Sequence, residues 1–447
     1  MQRSTEGVAS LGDRSDETTS IAEVMEALER YTDETGEPPL MLSGWEVEHP
    51  ALTPPAGLLR HLGSRSPQLR RYTYASDLCH AREVAAELLG DALRFSGSHL
   101  SAHHVSIQQN STQALLLVLA ALKACGVRRV IVAAPAYYAI ETICRSLHLE
   151  LVIVPAADFV TGALDIARLQ DVVRLPNSVA LVTNPAYSLG VEYTPAAIHQ
   201  LEEALSSDSW LLLDETRLGL SWCYDEPWYH ADFSPRTVVV RSPSKVFFIH
   251  GRKTSLLLGD PALLREVERL GEALVGSVAG DAEAVALAYF ESWRAWRDET
   301  QYGLSGLMSH WHRVVIATLE RNRAAAQAAL APQGFTLSPV DSGPYVLAAV
   351  PRERLPALMG LAAARQQGVM LMNSRYFFHE HPDWHGFRIN LGGDPQHLSK
   401  ALARLQTLWW QGRQGKSSGF SALWSEGQIA EQRPPRSLGR SLVPEGG

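Results

Sequence analysis

Two stretches decide the fold: Ser209–Thr216, SWLLLDET, and Thr237–Ser255, TVVVRSPSKVFFIHGRKTS. Each begins as a nearly unbroken apolar run and ends abruptly in polar residues. Continuous apolar strands suit a sheet covered on both faces, whereas a sheet with one wet face alternates. Just past the first run stands Asp214, and just past the second stands Lys245. In open parallel sheets ligands bind beyond the carboxyl ends of the strands. The carboxylate and the lysine therefore both fall where a ligand is expected.

Outward from this pair, further short apolar runs predict strands at His104–Ile107, Val130–Ala133, Leu151–Val154, Val179–Val182, Trp210–Leu213, Val238–Val240 and Ser255–Leu258. Helical stretches lie between them, among them STQALLLVLAALKAC, which has a Ser/Thr start and an apolar face. This alternation predicts an α/β protein with a mostly parallel, doubly wound sheet. A long helical region from about Gly306 to Ala331 leads into a mixed segment ending near Trp410. The predicted organisation is a mobile arm at 1–18, an N-terminal segment of a small domain at 19–60, a large domain at 61–300, a C-terminal α+β small domain at 301–411 and a flexible tail at 412–447.

The other strand ends carry Asn110, Ser111 and Thr112; Pro135 and Tyr137; Asn184 and Tyr187; and Ser242 and Ser244. A buried carboxylate near a buried lysine can be a structural ion pair. It can also be the signature of a lysine that forms a Schiff base with an aldehyde cofactor, with the carboxylate paired to a protonated pyridine nitrogen. Ser111 and Thr112 at a helix N-terminus offer backbone N–H groups and hydroxyls to a phosphate. Tyr137 offers a ring that can stack on a flat cofactor.

Taken together, these motifs resemble the fold-type I pyridoxal-phosphate family, in its aspartate-aminotransferase-like branch (class I/II), over about Pro39 to Trp410. SPSKVFFIHGRKTS is similar to the family's S-x-S-K-x5-G-x-R/K pattern, LLLDET to its D-E strand end, and QQNSTQAL to its phosphate loop. APAYY is similar to the ring-stacking P-x-Y, NPAYSLG to N-P-x-N-P-x-G, and FRINLGG to the segment whose arginine grips the substrate. The resemblance implies pyridoxal 5′-phosphate as cofactor, with Lys245 as Schiff-base lysine and proton shuttle, Asp214 as pyridinium partner and Tyr137 as stacking ring. It implies phosphate contacts from Ser111, Thr112, Ser242 and Lys253, and a substrate carboxylate held by Arg388 as a bidentate fork. Gly44, in LSGWEVEHP, resembles the segment that closes over substrate. Tyr72, in RRYTYASD, resembles a tyrosine that reaches the neighbour's phosphate across a homodimer interface. The implied activity is transamination of an α-amino acid, with a 2-oxo acid as the second substrate. The alternative is another reaction of the same cofactor: β/γ-elimination, replacement, cyclisation or oxidation in specialised metabolism.

Several positions depart from the family pattern. Asn110 and Asp77 stand where glycines are usual, and Lys253 stands for an arginine, with Arg252 beside it. Tyr187 takes the usual asparagine slot at the cofactor's 3′-oxygen, with Asn184 the nearby amide, and Arg217 takes the usual tyrosine slot. A guanidinium there favours the ring phenolate. The alternative is that Arg217 turns away to pair with Glu215 or Asp225.

Composition removes other function classes. Of 447 residues 46% are hydrophobic and 20% charged, which is ordinary for a packed protein. The net charge of −8 argues against a nucleic-acid or anionic-membrane partner. No apolar run approaches the ~18 residues of a membrane helix. The start, MQRSTEGVASLGDRSDETTS, is too polar for a signal peptide. Cys79, Cys125, Cys144 and Cys223 show no CxxC spacing and are expected as buried free thiols, in keeping with a cytoplasmic protein. His379, His381 and His385 lie close together, but Pro382 interrupts them and no metal site is expected. GKSS, at 415–418, lacks the earlier glycine of a phosphate-binding loop.

Overall fold

The structure is a computed structural model that describes residues 21–54, 72–90, 92–158, 160–218, 231–297, 304–351, 359–378 and 383–413. Thirteen strands lie among these residues, in three sheets. β1 (Leu93–Phe95), β2 (Ser98–His99) and β8 (Ala231–Phe233) form a small sheet in the order β2-β1-β8. The central sheet contains β3 (Val105–Gln108), β4 (Arg129–Ala134), β5 (Glu150–Pro155), β6 (Ser178–Thr183), β7 (Trp210–Glu215), β9 (Thr237–Arg241) and β10 (Ser255–Leu258). Its order is β3-β10-β9-β7-β6-β4-β5. All seven runs read from the sequence are strands of this one sheet.

Neighbours in the central sheet are parallel except at β10, which runs antiparallel to both β3 and β9. Every residue of β3, β6, β9 and β10 is buried, as expected for strands covered on both faces. One apolar core lies on each side: Ile107, Val182, Leu213 and Val239 belong to one, and Val118, Leu181, Leu212 and Val240 to the other. The second core is closed by the helix Ser111–Ala124, whose Ala114, Leu115, Leu117 and Val118 are buried. From β4 the chain moves to β5 on one side and to β6 on the other. That change of direction opens a crevice at the carboxyl ends of β4 and β6.

β11 (Thr336–Leu337), β12 (Tyr345–Pro351) and β13 (Trp384–Asn390) form an antiparallel sheet, with Leu347 opposite Arg388. The helices Leu304–Leu330, Met359–Gln367 and Pro395–Arg413 belong to the same part of the chain. The N-terminal helix Ile21–Thr35 packs on Met359–Gln367, and Leu40 bridges Val369. The smaller α+β layer thus draws on both ends of the chain.

Some expectations change. The last helix runs on to Arg413, so residues 412 and 413 are helical; the rest of the expected tail, the arm at 1–18, GKSS, His379 and His381 lie outside the described residues. Cys144 is buried as expected, but Cys79 and Cys125 are exposed, and Cys223 is outside the described residues. Both exposed thiols sit at helix ends, Cys79 opening Cys79–Leu89 and Cys125 capping Ser111–Ala124. Among the described residues no helix is long and apolar enough to cross a membrane, and no His/Cys/Asp/Glu group could hold a metal ion.

Candidate active site

Strand ends assemble the site. Asp214 and Glu215 close β7, with Asp214 paired in register to Thr183 of β6 and Val240 of β9. Asp214 is buried, and one of its carboxylate oxygens accepts from the Thr216 N–H at 3.2 Å. Past β9 the chain turns into the short helix Pro243–Val246, which carries Lys245. Lys245 Nζ, half-buried, donates to Thr216 Oγ1 at 3.2 Å. Burial pulls its pKa down to about 8; Arg217 and Lys253 push the same way and Asp214 opposes them. At neutral pH this amine holds its proton far more loosely than a surface lysine.

The phosphate-loop residues sit alongside. Ser111 and Thr112 open the helix Ser111–Ala124, and the Asn110 side chain caps it by accepting from the Gln113 N–H at 2.9 Å. Asn110 has φ −160°, an extended backbone that any residue adopts, so no glycine is needed there. Thr112 Oγ1 lies 3.3 Å from Tyr137 Oη. Ser242 and Ser244 both donate to the Thr254 carbonyl at 3.1 Å, which ties the loop carrying Lys253 back against the lysine turn. Arg252 pairs with Asp281 at 3.3 Å and is committed there; Lys253 is the cation that acts on Lys245.

At the other end of the crevice Arg217 donates from Nη2 to Tyr345 Oη at 2.9 Å, with its guanidinium 4.2 Å from the ring centroid. Among the described residues its buried Nη1 has no hydrogen-bond partner. Glu215 does not take it: Arg241 donates to Glu215 Oε2 through Nε at 3.1 Å and Nη2 at 3.0 Å, a pair buried beneath the sheet end. Asp225 lies outside the described residues. The Asn184 side chain accepts from the Tyr193 N–H at 2.9 Å, donates to the Tyr193 carbonyl at 3.5 Å and also bonds the Glu215 carboxylate. It lines the crevice with Tyr187, Asp214, Arg217, Ser342 and Tyr345.

Arg388 of β13 is wholly buried. It donates to the carbonyls of Ser43 at 2.5 Å and Gly44 at 3.4 Å, and to Tyr187 Oη at 3.3 Å, while its Nε has no partner. A Cβ on Gly44 would come within 3.0 Å of both Met41 Cβ and Met41 O. Rings surround the guanidinium: Tyr345 at 4.5 Å, Phe377 at 5.2 Å and Trp45 at 5.6 Å. Tyr187 packs between Tyr137 and Phe377, and burial raises its pKa to about 12 against the pull of Arg388 and Arg217, so its hydroxyl keeps its proton.

The structure thus brings Asp214, Arg217, Asn184 and Tyr187 into the lining of one crevice, with Lys245 bonded to its Thr216 and Arg388 to its Tyr187, and sets Thr112 beside Tyr137. Tyr72 is not in this cluster; its side chain is 81% exposed, next to Thr73, which bridges Val278. Sequence reasoning missed Thr216, Tyr345, Trp45 and His250. The His250 Nε2 is buried without a partner, and its pKa is held down to about 4 by burial, then by Arg217, Lys245 and Lys253. Only the closeness of His250 to Lys245 in sequence could have signalled it.

A family model described as aminotransferase class I and II matches residues 64–405. A search of curated protein sequences finds no match. Among solved structures, a double mutant of Thermus thermophilus aspartate aminotransferase is similar with a TM-score of 0.70 and 17% identity, over 88% of this chain and 97% of that one. An aminotransferase from Mycobacterium tuberculosis follows with TM-score 0.68 and 20% identity, over 87% and 95%. A methionine aminotransferase from Escherichia coli gives 0.66 and 16%, over 89% and 98%. At these identities the structural likeness is one of fold.

Proposed function

The chain belongs to the aminotransferase class I and II family, and from that premise we propose that it is a pyridoxal-phosphate-dependent aminotransferase acting on an α-amino acid through Lys245. The observation that carries this reading is the Lys245 amine, bonded to Thr216 of the crevice lining and with a pKa lowered to about 8. The residues present fit the cofactor. Arg217 and Lys253 repel the charge on Lys245 while Asp214 attracts it, and Arg217 Nη1 is buried without a partner among the described residues. Such a cluster is expected to take up anionic groups.

Ser111, Thr112, Ser242 and Lys253 would hold the phosphate, joined by Tyr72 of a second copy in a homodimer. Tyr137 would supply a ring face, Asp214 the pyridine-nitrogen contact, and Arg217 and Tyr187 the 3′-oxygen contacts, with Asn184 bracing their loop. When bound, the cofactor supplies an electron sink for the negative charge that forms at the substrate Cα. Lys245 Nζ would serve as the proton shuttle, taking the proton from the substrate Cα for delivery to the cofactor's C4′, with Thr216 Oγ1 holding that nitrogen in place. Arg388 binds the α-carboxylate through its open donors, and the Ser43–Gly44 segment, bonded to the same guanidinium, closes that side against water. The amino group then passes to a 2-oxo acid.

One observation favours a second reading. Arg217 in place of a neutral tyrosine biases the 3′-oxygen toward its anion, which changes where the proton sits and favours elimination, replacement, cyclisation or oxidation over transfer. The test is borohydride reduction of the cofactor-loaded protein with peptide mass mapping, then a panel of amino acids with and without 2-oxoglutarate or pyruvate. Label on Lys245 and a 2-oxo acid product support transamination. Label on another lysine overturns the assignment, and product formed without an acceptor selects the second reading.

A further inference from the structure

We propose that Tyr345 is a positioning residue: it orients Arg217 toward the cofactor's 3′-oxygen and joins that contact to the carboxylate site at Arg388. The inference rests on the proposed cofactor. Tyr345 opens β12, where its register opposite Asn390 is set by the same strand pair that carries Arg388 opposite Leu347. Its side chain is buried. The hydroxyl is bonded on both sides, accepting from Arg217 Nη2 at 2.9 Å and donating to the Trp45 carbonyl at 3.4 Å. The ring serves two guanidiniums, with Arg217 at 4.2 Å and Arg388 at 4.5 Å from its centroid. Three separate parts of the chain therefore meet on one residue: the end of β7, the N-terminal segment and β12.

An arginine side chain has several rotatable bonds and orders only where something fixes it. Arg217 follows β7 and does not bond the neighbouring Glu215, which Arg241 occupies. Tyr345 fixes it twice, by the ring face and by the hydroxyl, and leaves Nη1 as the open donor at the crevice. Because Asn390 Nδ2 donates to the carbonyls of Gly44 at 3.2 Å and Glu46 at 2.6 Å, the strand pair under Tyr345 is also bound to the segment next to Trp45. The hydroxyl consequently has a rigid acceptor on one side and a guanidinium on the other.

The test is Tyr345→Phe, which keeps the ring and removes the hydroxyl. The readout is the pH titration of the cofactor's visible absorption in the loaded protein, with thermal unfolding alongside. A well-placed guanidinium stabilises the phenolate and lowers the proton affinity of the lysine nitrogen joined to the cofactor, so a loosened Arg217 moves the midpoint to higher pH. We expect a rise of about one unit, the size of one hydrogen bond to a charged group. In an Arg217→Tyr background the same substitution should move the midpoint hardly at all. An unchanged midpoint in Tyr345→Phe, or an equal rise in the Arg217→Tyr background, overturns the proposal; a lower melting temperature with an unchanged titration does so too. Should Tyr345→Phe not fold, Arg217→Lys carries the test. It keeps the charge and loses the fork that spans Tyr345 and the 3′-oxygen, and a wild-type midpoint there overturns the proposal. Failure of the wild-type protein to bind the cofactor at Lys245 would strike the functional reading instead.

Discussion

Replacing Arg388 with alanine probes the cation on which substrate recognition is proposed to rest. The side chain is fully buried, and the partners found for it are two backbone carbonyls, a tyrosine hydroxyl and a thioether, none of them anionic. A desolvated charge without a counter-ion is costly, so an arriving carboxylate recovers both Coulomb attraction and hydrogen bonds. Truncating one partner of such a pair costs about 2–5 kcal/mol. At about 1.4 kcal/mol per decade, the amino-acid KM should rise at least ~30-fold. The α-carboxylate is common to donor and acceptor, so the KM of the 2-oxo acid should rise with it, while the affinity for cofactor stays near wild type. Alanine also takes the Arg388 donor from the Ser43 carbonyl and leaves a cavity, so melting temperature must be followed in parallel. Arg388→Lys separates the two effects: it keeps the charge and most of the volume but loses the fork, and should show an intermediate KM with a smaller loss of stability. A folded, cofactor-loaded alanine variant with both KM values within about threefold of wild type would refute the assignment and move carboxylate recognition elsewhere.

Three other outcomes follow from the same site. Lys245 in the cofactor-free protein has a pKa lowered to about 8, so its amine turns neutral about two units below an ordinary lysine. The rate of cofactor capture should climb through pH 8 and level off above it, and a rate still climbing steeply at pH 10 would contradict this. Arg217→Tyr should raise the midpoint of the visible titration by about one unit and shift the ratio of transferred to eliminated or oxidised product; identical titration and products would place Arg217 outside the chemistry. Tyr72, 81% exposed here, should complete the phosphate site of a second copy. Sedimentation should then give a dimer, with Tyr72→Phe weakening cofactor affinity severalfold, and a fully active monomer would refute the shared site.

The central sheet was legible because burial on both faces leaves no room for polar alternation, so each strand appears as an apolar run. The reversed direction of β10 was not drawn from its residues. The link from β9 is the segment 242–254, in which the short helix Pro243–Val246 is followed by a return beside β9 in the opposite direction. In the smaller layer β11 is two residues long and left no readable period. The helices Ile21–Thr35 and Ala282–Arg297 also went unforeseen. At the site, Asp214, Lys245, Ser111 and Thr112 were legible because each follows a strand directly and offers one chemical group at a fixed place. Thr216, Trp45 and Tyr345 were not. Their importance depends on partners far along the chain, as when the Tyr345 hydroxyl meets Trp45 and Arg217, and nothing local in YVLAAVP announces it.

The departures from the family pattern divide on physical grounds. Asn110 and Asp77 act locally: Asn110 caps the helix behind it, and Asp77 accepts from the Tyr74 N–H at 3.1 Å within its own turn. Each keeps the backbone in place with a side chain instead of a glycine's freedom, and neither asks anything of the rest of the site. Arg252 is bound to Asp281, so the proposed phosphate contact from this loop falls to Lys253, a point charge and not a fork. Tyr187 and Arg217 differ from all of these. Tyr187 accepts from Arg388, Arg217 donates to Tyr345, and Arg388 faces the ring of that same Tyr345. The two replacements at the proposed 3′-oxygen are therefore ends of one connected network that runs through Arg388, the arginine proposed to bind the carboxylate. Coupling through shared partners makes such changes non-additive. Tyr187 and Arg217 are for this reason better understood as a single rearrangement, in which Arg388, the proposed substrate-binding group, and Arg217, the proposed 3′-oxygen contact, lean on one tyrosine.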